Sequence, residues 1–226
     1  MLIGILQTGL APDVLSSTMG DYPDMFARLL GQADFTFRTW RVVDMDFPAL
    51  VTDADGWLIT GSRHGAYEDH SFIPPLEDFI RKVFAADVPM VGICFGHQII
   101  AKAMGGTVRR FEKGWAVGAT DYDFEGEKIT LNAWHRDQVI DLPPGAKVVA
   151  SNPFCENAAL VYGNHAFTVQ AHPEFQPEFV DGLMRTRGPG LVPDDLMARA
   201  RARLDHPIDD AKIARRIAEF FRHPNG

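Results

Sequence analysis

Cysteine occurs only twice in this 226-residue chain. One copy, Cys94, sits in Val91-Gly92-Ile93-Cys94-Phe95-Gly96-His97-Gln98, between two glycines and directly after an apolar run. A strand that enters a helix through Gly-x-Cys-x-Gly has the form of a nucleophile elbow. Small neighbours let the backbone turn sharply and leave room for a substrate carbonyl. The turn also puts Cys94 at the N-terminus of the next helix, whose field stabilises a thiolate. The N–H of Phe95 would point at a developing oxyanion. The competing reading of the pentapeptide is a small buried hydrophobe beside a helix-packing glycine.

A cysteine nucleophile needs a base, and the base needs an orienting group. The chain has eight histidines. His172 is the best placed, in Thr168-Val169-Gln170-Ala171-His172-Pro173-Glu174, directly after a strand-like run. With Pro173 between them, His172 and Glu174 project from one extended turn, and the carboxylate can hold the ring. Alone, His172 is as readily a satisfied surface or core histidine. Paired with the elbow, it is a candidate base.

Which elements would bring these residues together? Through residue 105, strand-like runs alternate with helix-like stretches: Leu2 to Gln7, a helix after Asp21, then Phe37 to Asp44, Asp55 to Gly61, a helix from Pro74, Met90 to Ile93, and a helix stopped by Gly105-Gly106. This predicts an α/β fold, a single domain over 1–226 with an open, mostly parallel central sheet and helices on both faces. Strand ends converge on one edge of such a sheet, so the 78 residues between Cys94 and His172 are no obstacle. From Thr107 to Gln170, short strand-like runs follow one another through turns, which predicts antiparallel additions. A helical C-terminal extension is expected over about 176–226. The stretch from Gln7 to Phe26 reads as an insert-like loop, with Met19, Tyr22 and Met25 lining a pocket.

With these residues in view, the sequence resembles the class I (triad-type) glutamine amidotransferases. Gly92-Ile93-Cys94-Phe95-Gly96-His97-Gln98 is similar to that family's Gly-x-Cys-x-Gly-x-Gln, and Gln170-Ala171-His172-Pro173-Glu174 to its His-Pro-Glu signature. The resemblance spans Leu2 to about Phe175. It implies a Cys94, His172, Glu174 triad that attacks the side-chain amide of glutamine or a related γ-glutamyl bond, with Gln98 helping to hold the substrate. Thr60-Gly61-Ser62-Arg63 stands where the family has Ser-Gly-Gly-Pro. The resemblance implies that this loop supplies an oxyanion N–H, from Ser62, with Gly61 at the substrate. Trp134-His135-Arg136-Asp137-Gln138-Val139 is similar to the family's His-x-Asp-x-Val segment. There, His135 and Asp137 either bind substrate or lock the loop.

The rest of the sequence narrows the setting. The charge of −8 and pI near 5.4 make a phosphate-backbone partner a poor expectation. Two cysteines and an N-terminus without a positive leader suggest a cytoplasmic protein, and no run is long or apolar enough to span a bilayer. Cys155 is expected in the core. His64, His70 and His97 lack a zinc-site spacing, so no metal is expected, and the resemblance implies no organic cofactor. The expected partner is glutamine or a γ-glutamyl small molecule. Three outcomes stay open: a glutaminase feeding ammonia to a separate synthase subunit, a free-standing γ-glutamyl peptidase or hydrolase, and a catalytically silent binding module. A cysteine hydrolase of another elbow-bearing α/β fold is less favoured by Gln98 and Glu174.

Overall fold

The computed structural model describes residues 1–223. Its strands are β1 (Leu2–Leu6), β2 (Thr36–Trp40), β3 (Gly56–Ile59), β4 (Met90–Ile93), β5 (Thr107–Arg110), β6 (Ala116–Phe124), β7 (Glu127–His135), β8 (Asp137–Asp141), β9 (Lys147–Ser151), β10 (Ala159–Tyr162) and β11 (Ala166–Val169). Its α-helices are α1 (Asp13–Met19), α2 (Tyr22–Leu29), α3 (Ile73–Ala85), α4 (Phe95–Ala103), α5 (Pro177–Thr186), α6 (Asp194–Arg201) and α7 (Asp210–Arg222). One nine-stranded sheet runs β2-β1-β3-β4-β11-β10-β9-β6-β7, and β5 pairs with β8 in a small separate sheet.

Strands β2, β1, β3, β4 and β11 are mutually parallel. The remaining large-sheet strands join antiparallel. Parallel strands covered on both faces are apolar throughout, and β3, β4 and β11 are buried at every residue. Successive side chains split between two cores. Leu6, Trp57 and Ile59 face α3 and α4, where Leu76, Ile80, Val83, Ile99 and Ile100 sit at helical spacing. Ile3, Ile5, Leu58 and Val91 face α2 and α7, meeting Phe26, Ile213, Ile217 and Phe221.

Several expectations need correcting. β11 is not one of the antiparallel additions to its sequence predecessor alone; it also pairs parallel with β4. Its four consecutive buried residues favour a central position over an edge. β6 forms although Gly118, Asp121 and Asp123 interrupt its apolar pattern. The segment after β1 is not an open loop. It holds α1, whose Leu15 packs on α5 so closely that a Cβ at Gly182 would lie 2.5 Å from Leu15 Cδ2. Asp21 does cap α2, in a reciprocal capping box with Asp24. The helical C-terminal extension is present as α5, α6 and α7; residues 224–226 of that expectation lie outside the described part. Among the described residues, no helix is long and apolar enough to cross a membrane.

Candidate active site

The elbow forms where β4 meets α4. Cys94 occupies the left-handed side of backbone space, with φ 53° and ψ −100°. Such a conformation costs a residue with a Cβ on the order of 1–3 kcal/mol. It is held by neighbours: the Cys94 N–H donates to Val169 O, and its carbonyl accepts from the Gln98 N–H. Both flanking glycines are explained by close approach. A Cβ on Gly92 would lie 2.6 Å from the carbonyl carbon of Gly96, and one on Gly96 would lie 2.3 Å from Ile59 O. The chain can turn this tightly against β3 only without those side chains.

Pairing of β11 with β4 brings His172 to the same sheet edge. The His172 N–H donates to Asn132 O, and Asn132 Nδ2 donates to Phe175 O. These two bonds fold the His-Pro-Glu turn back onto β7. The imidazole lies flat on the Phe175 ring, with centroids 3.9 Å apart and planes at 3°. His172 Nδ1 and Glu174 Oε1 are 2.7 Å apart, and both side chains are buried. Burial disfavours the imidazolium, but Glu174 and Cys94 outweigh it, and the histidine is raised to about 10. Its hydrogen bond to the Cys94 side chain adds to that shift.

The expected accessory residues fall around this centre. A Cβ on Gly61 would lie 2.9 Å from His172 Cε1 and 3.8 Å from Cys94 Cβ, so this glycine clears space for the imidazole. Ser62 follows it, its hydroxyl donating to Thr8 O and accepting from the His64 N–H. Phe95 is the first residue of α4. Gln98 Nε2 donates to Asp137 O and to Gln170 Oε1. Its amide nitrogen is thereby committed to protein partners, while the residue also lines the cavity with Cys94. The Asp137 carboxylate accepts from the Tyr67 hydroxyl at 3.2 Å, bridging the Ser62 loop to β8. Desolvation pushes the Asp137 carboxyl up. His135 is buried with Nε2 unpartnered, and burial together with nearby His172 lowers it to about 3.

Sequence reasoning missed Gln170. Its Nε2 donates to Cys94 Sγ at 3.6 Å while its Oε1 accepts from Gln98. The available signal was phase: Gln170 and His172 are two apart in an extended segment and so share a face. It also missed Arg110, Trp115 and Arg187, which line a cavity of about 310 Å³ together with Cys94, Gln98, His135, Asp137 and His172. Of the three residues expected after β1, only Tyr22 lines this cavity; Met19 and Met25 do not. Cys155 lies in the core, as expected. His97 is buried against Thr168 Oγ1 at 2.8 Å.

The arrangement combines a strained thiol at a helix N-terminus and a buried imidazole beside it, both opening on one cavity, with a buried carboxylate on the other ring nitrogen behind them. The family model for "Glutamine amidotransferase class-I" matches residues 25–184. This chain belongs to the class I glutamine amidotransferase family. A glutamine amidotransferase-like protein of Schizosaccharomyces pombe is 30% identical over 97% of this chain and 98% of its own length. Gamma-glutamyl peptidase 4 of Arabidopsis thaliana is 29% identical, covering 90% of this chain and 88% of that protein. The crystal structure of a glutamine amidotransferase from Methylobacillus flagellatus superposes with a TM-score of 0.74 at 21% identity, covering 99% of this chain and 94% of that one. At that identity the superposition speaks for the fold.

Proposed function

We propose that this amidotransferase-family chain is a cysteine-dependent γ-glutamyl hydrolase. The observation that carries the reading is the buried constellation of Cys94 and His172 on the cavity wall with Glu174 behind the imidazole. Cys94 attacks the side-chain carbonyl of a γ-glutamyl amide as a thiolate, with its proton held on His172. The N–H groups of Ser62 and Phe95 stabilise the tetrahedral oxyanion. His172 then protonates the leaving ammonia or amine, and the γ-glutamyl thioester remains on Cys94. Water, activated by His172, releases glutamate and restores the thiol. Glu174 keeps the ring oriented and stabilises the imidazolium. Gln98 and Gln170 position the sulfur, and His135 and Asp137 shape the cavity wall. No step calls on a metal or an organic cofactor.

The test is turnover by the purified chain alone, measured against glutamine and a panel of γ-glutamyl amides and peptides. Hydrolysis that disappears in Cys94→Ala supports the reading. A chain that binds these compounds without cleaving any is a silent binding module instead.

A free-standing peptidase is favoured over a synthase-coupled glutaminase by one feature. Besides Cys94 and His172, the cavity is lined by Tyr22, Trp115, Arg187 and Leu191, and its volume of about 310 Å³ leaves room for a leaving group larger than ammonia. The similarity to a γ-glutamyl peptidase over most of both chains points the same way. Arg187 is fixed there by donating to Leu10 O at 2.8 Å and to the Tyr22 hydroxyl at 3.4 Å. Arg187→Ala should lower kcat/KM for γ-glutamyl peptides more than for glutamine. Glutamine turnover that needs a second protein would favour the amidotransferase-subunit reading.

A further inference from the structure

The loop that follows Ser62 carries a second cluster of chemistry-bearing side chains. His64, Glu68 and His70 lie within one short segment, and one ligand-capable atom from each falls within 4.8 Å of the others. Their linear spacing matches no zinc motif. The segment turns back on itself, however, with the Glu68 N–H donating to Gly65 O and the His70 N–H to Glu68 O. This turn brings the His64 and His70 rings to 4.0 Å between centroids.

We propose that His64, Glu68 and His70 bind one transition-metal ion of the Zn²⁺ class, outside the catalytic centre. The donor set of two imidazoles and one carboxylate suits such an ion and leaves a fourth position for water. The distances agree. A tetrahedral ion with bonds near 2.0–2.1 Å holds its donors about 3.3 Å apart. Glu68 Oε2 is 2.8 Å from His70 Nε2 and 3.8 Å from His64 Nδ1, so the two separations bracket that value. Small side-chain rotations close the set. Both rings are already braced by Phe72, which stacks on His70 at 20° with centroids 5.9 Å apart and meets His64 at the same distance. The three groups are part-exposed, so an ion can enter from solvent.

The position gives the ion a consequence. His64 is rooted through its N–H to the Ser62 hydroxyl, two residues from the backbone expected to serve the oxyanion. His64 and Glu68 also line the cavity that holds Cys94. An ion held there would tie the two ends of this loop together and fix its course along the cavity rim.

The site stands apart from the amidase reading, so its test reads binding rather than turnover. Tag-free, chelator-stripped protein is titrated with zinc sulfate by calorimetry, and zinc retained after gel filtration is measured by mass spectrometry. One ion per chain is expected in the wild type. The same is expected in Cys94→Ala, which removes the thiol that lines the same cavity. His64→Ala, His70→Ala and the near-isosteric Glu68→Gln should each weaken binding about tenfold or more, with circular dichroism reporting that they are folded. Absence of binding at micromolar zinc would overturn the site. So would binding that survives in Glu68→Gln and His70→Ala, or that vanishes in Cys94→Ala.

Discussion

Cys94 and Cys155 are both buried, both free and members of the same apolar cluster. Their surroundings differ in the features that govern reactivity. Cys94 sits on a left-handed turn at the head of α4, beside an imidazole and the Gln170 amide. Cys155 sits in a loop turn, its N–H donating to Asn152 Oδ1 and its carbonyl accepting from the Asn152 N–H. Burial pushes its thiol up to about 12. Residue type and burial are nearly matched, so under the proposed mechanism the contrast isolates what a nucleophile requires: an adjacent base, a helix terminus, and a turn that presents sulfur to a cavity.

The largest expected difference lies in activity. Cys94→Ala should lower γ-glutamyl hydrolysis by on the order of 10⁴-fold or more, and His172→Ala by a similar factor, because the two act as a unit. Cys155→Ala should leave kcat/KM within about twofold and cost roughly 1 kcal/mol of stability from the lost packing. Glu174→Gln falls between these, since the ring keeps a hydrogen-bonding neighbour but loses the charge that favours imidazolium. Steady-state kinetics on the panel of γ-glutamyl substrates ranks them. Equal losses from the two cysteine variants would erase the contrast.

Brief iodoacetamide treatment near neutral pH should modify Cys94 well before Cys155, read by peptide mass spectrometry. The reverse order would mean that the environment of Cys155 had been misjudged.

The elbow itself can be broken without touching either thiol. Gly96→Ala would put a Cβ 2.3 Å from Ile59 O, against backbone that cannot move aside. A loss of about 1–3 kcal/mol is expected by chemical denaturation.

The two glycines and the Cys94 position were legible in the sequence because they obey a local rule: a strand that turns sharply into a helix allows little else between its Cα atoms. His172 and Glu174 were legible for a similar reason, being two apart after a strand. What was not legible depended on partners distant in sequence. Pairing of β11 with β4 is a tertiary choice between two buried strands, and nothing local to Ala166–Val169 names β4. α1 was hidden by the small and polar residues of Ser16-Ser17-Thr18, and it is held by Leu15 against α5. Gln98 lines the cavity with Cys94, and its amide nitrogen also meets Gln170 and Asp137 O, neither of which its own motif specifies. Ring-to-ring contact between His64 and His70 likewise arises from the course of a loop.

The smallest effect concerns pH. His97 is lowered to about 3, by burial first and by nearby His135 second. His135 is lowered as far. A depressed histidine stays neutral in the fold while the unfolded chain takes up protons near 6.5. Its contribution is therefore present above 6.5 and declines as pH falls toward 3. His172 has the opposite sign: raised to about 10, it contributes fully below 6.5 and loses that contribution as pH rises through 10. The melting temperature should thus fall between pH 6.5 and 5, and less steeply in His97→Gln. An unchanged slope in that variant would remove His97 from the account.

The central claim is that Cys94, and not Cys155, forms a covalent bond to a γ-glutamyl carbon. The most direct measurement is intact and peptide mass spectrometry after incubation with the diazoketone analogue of glutamine, which alkylates a nucleophile seated where the amide would bind. One adduct per chain is expected, carried by the Cys94 peptide, with none in Cys94→Ala and full labelling in Cys155→Ala. An adduct that persists in Cys94→Ala, or a wild-type chain that stays unlabelled while folded, would contradict the assignment.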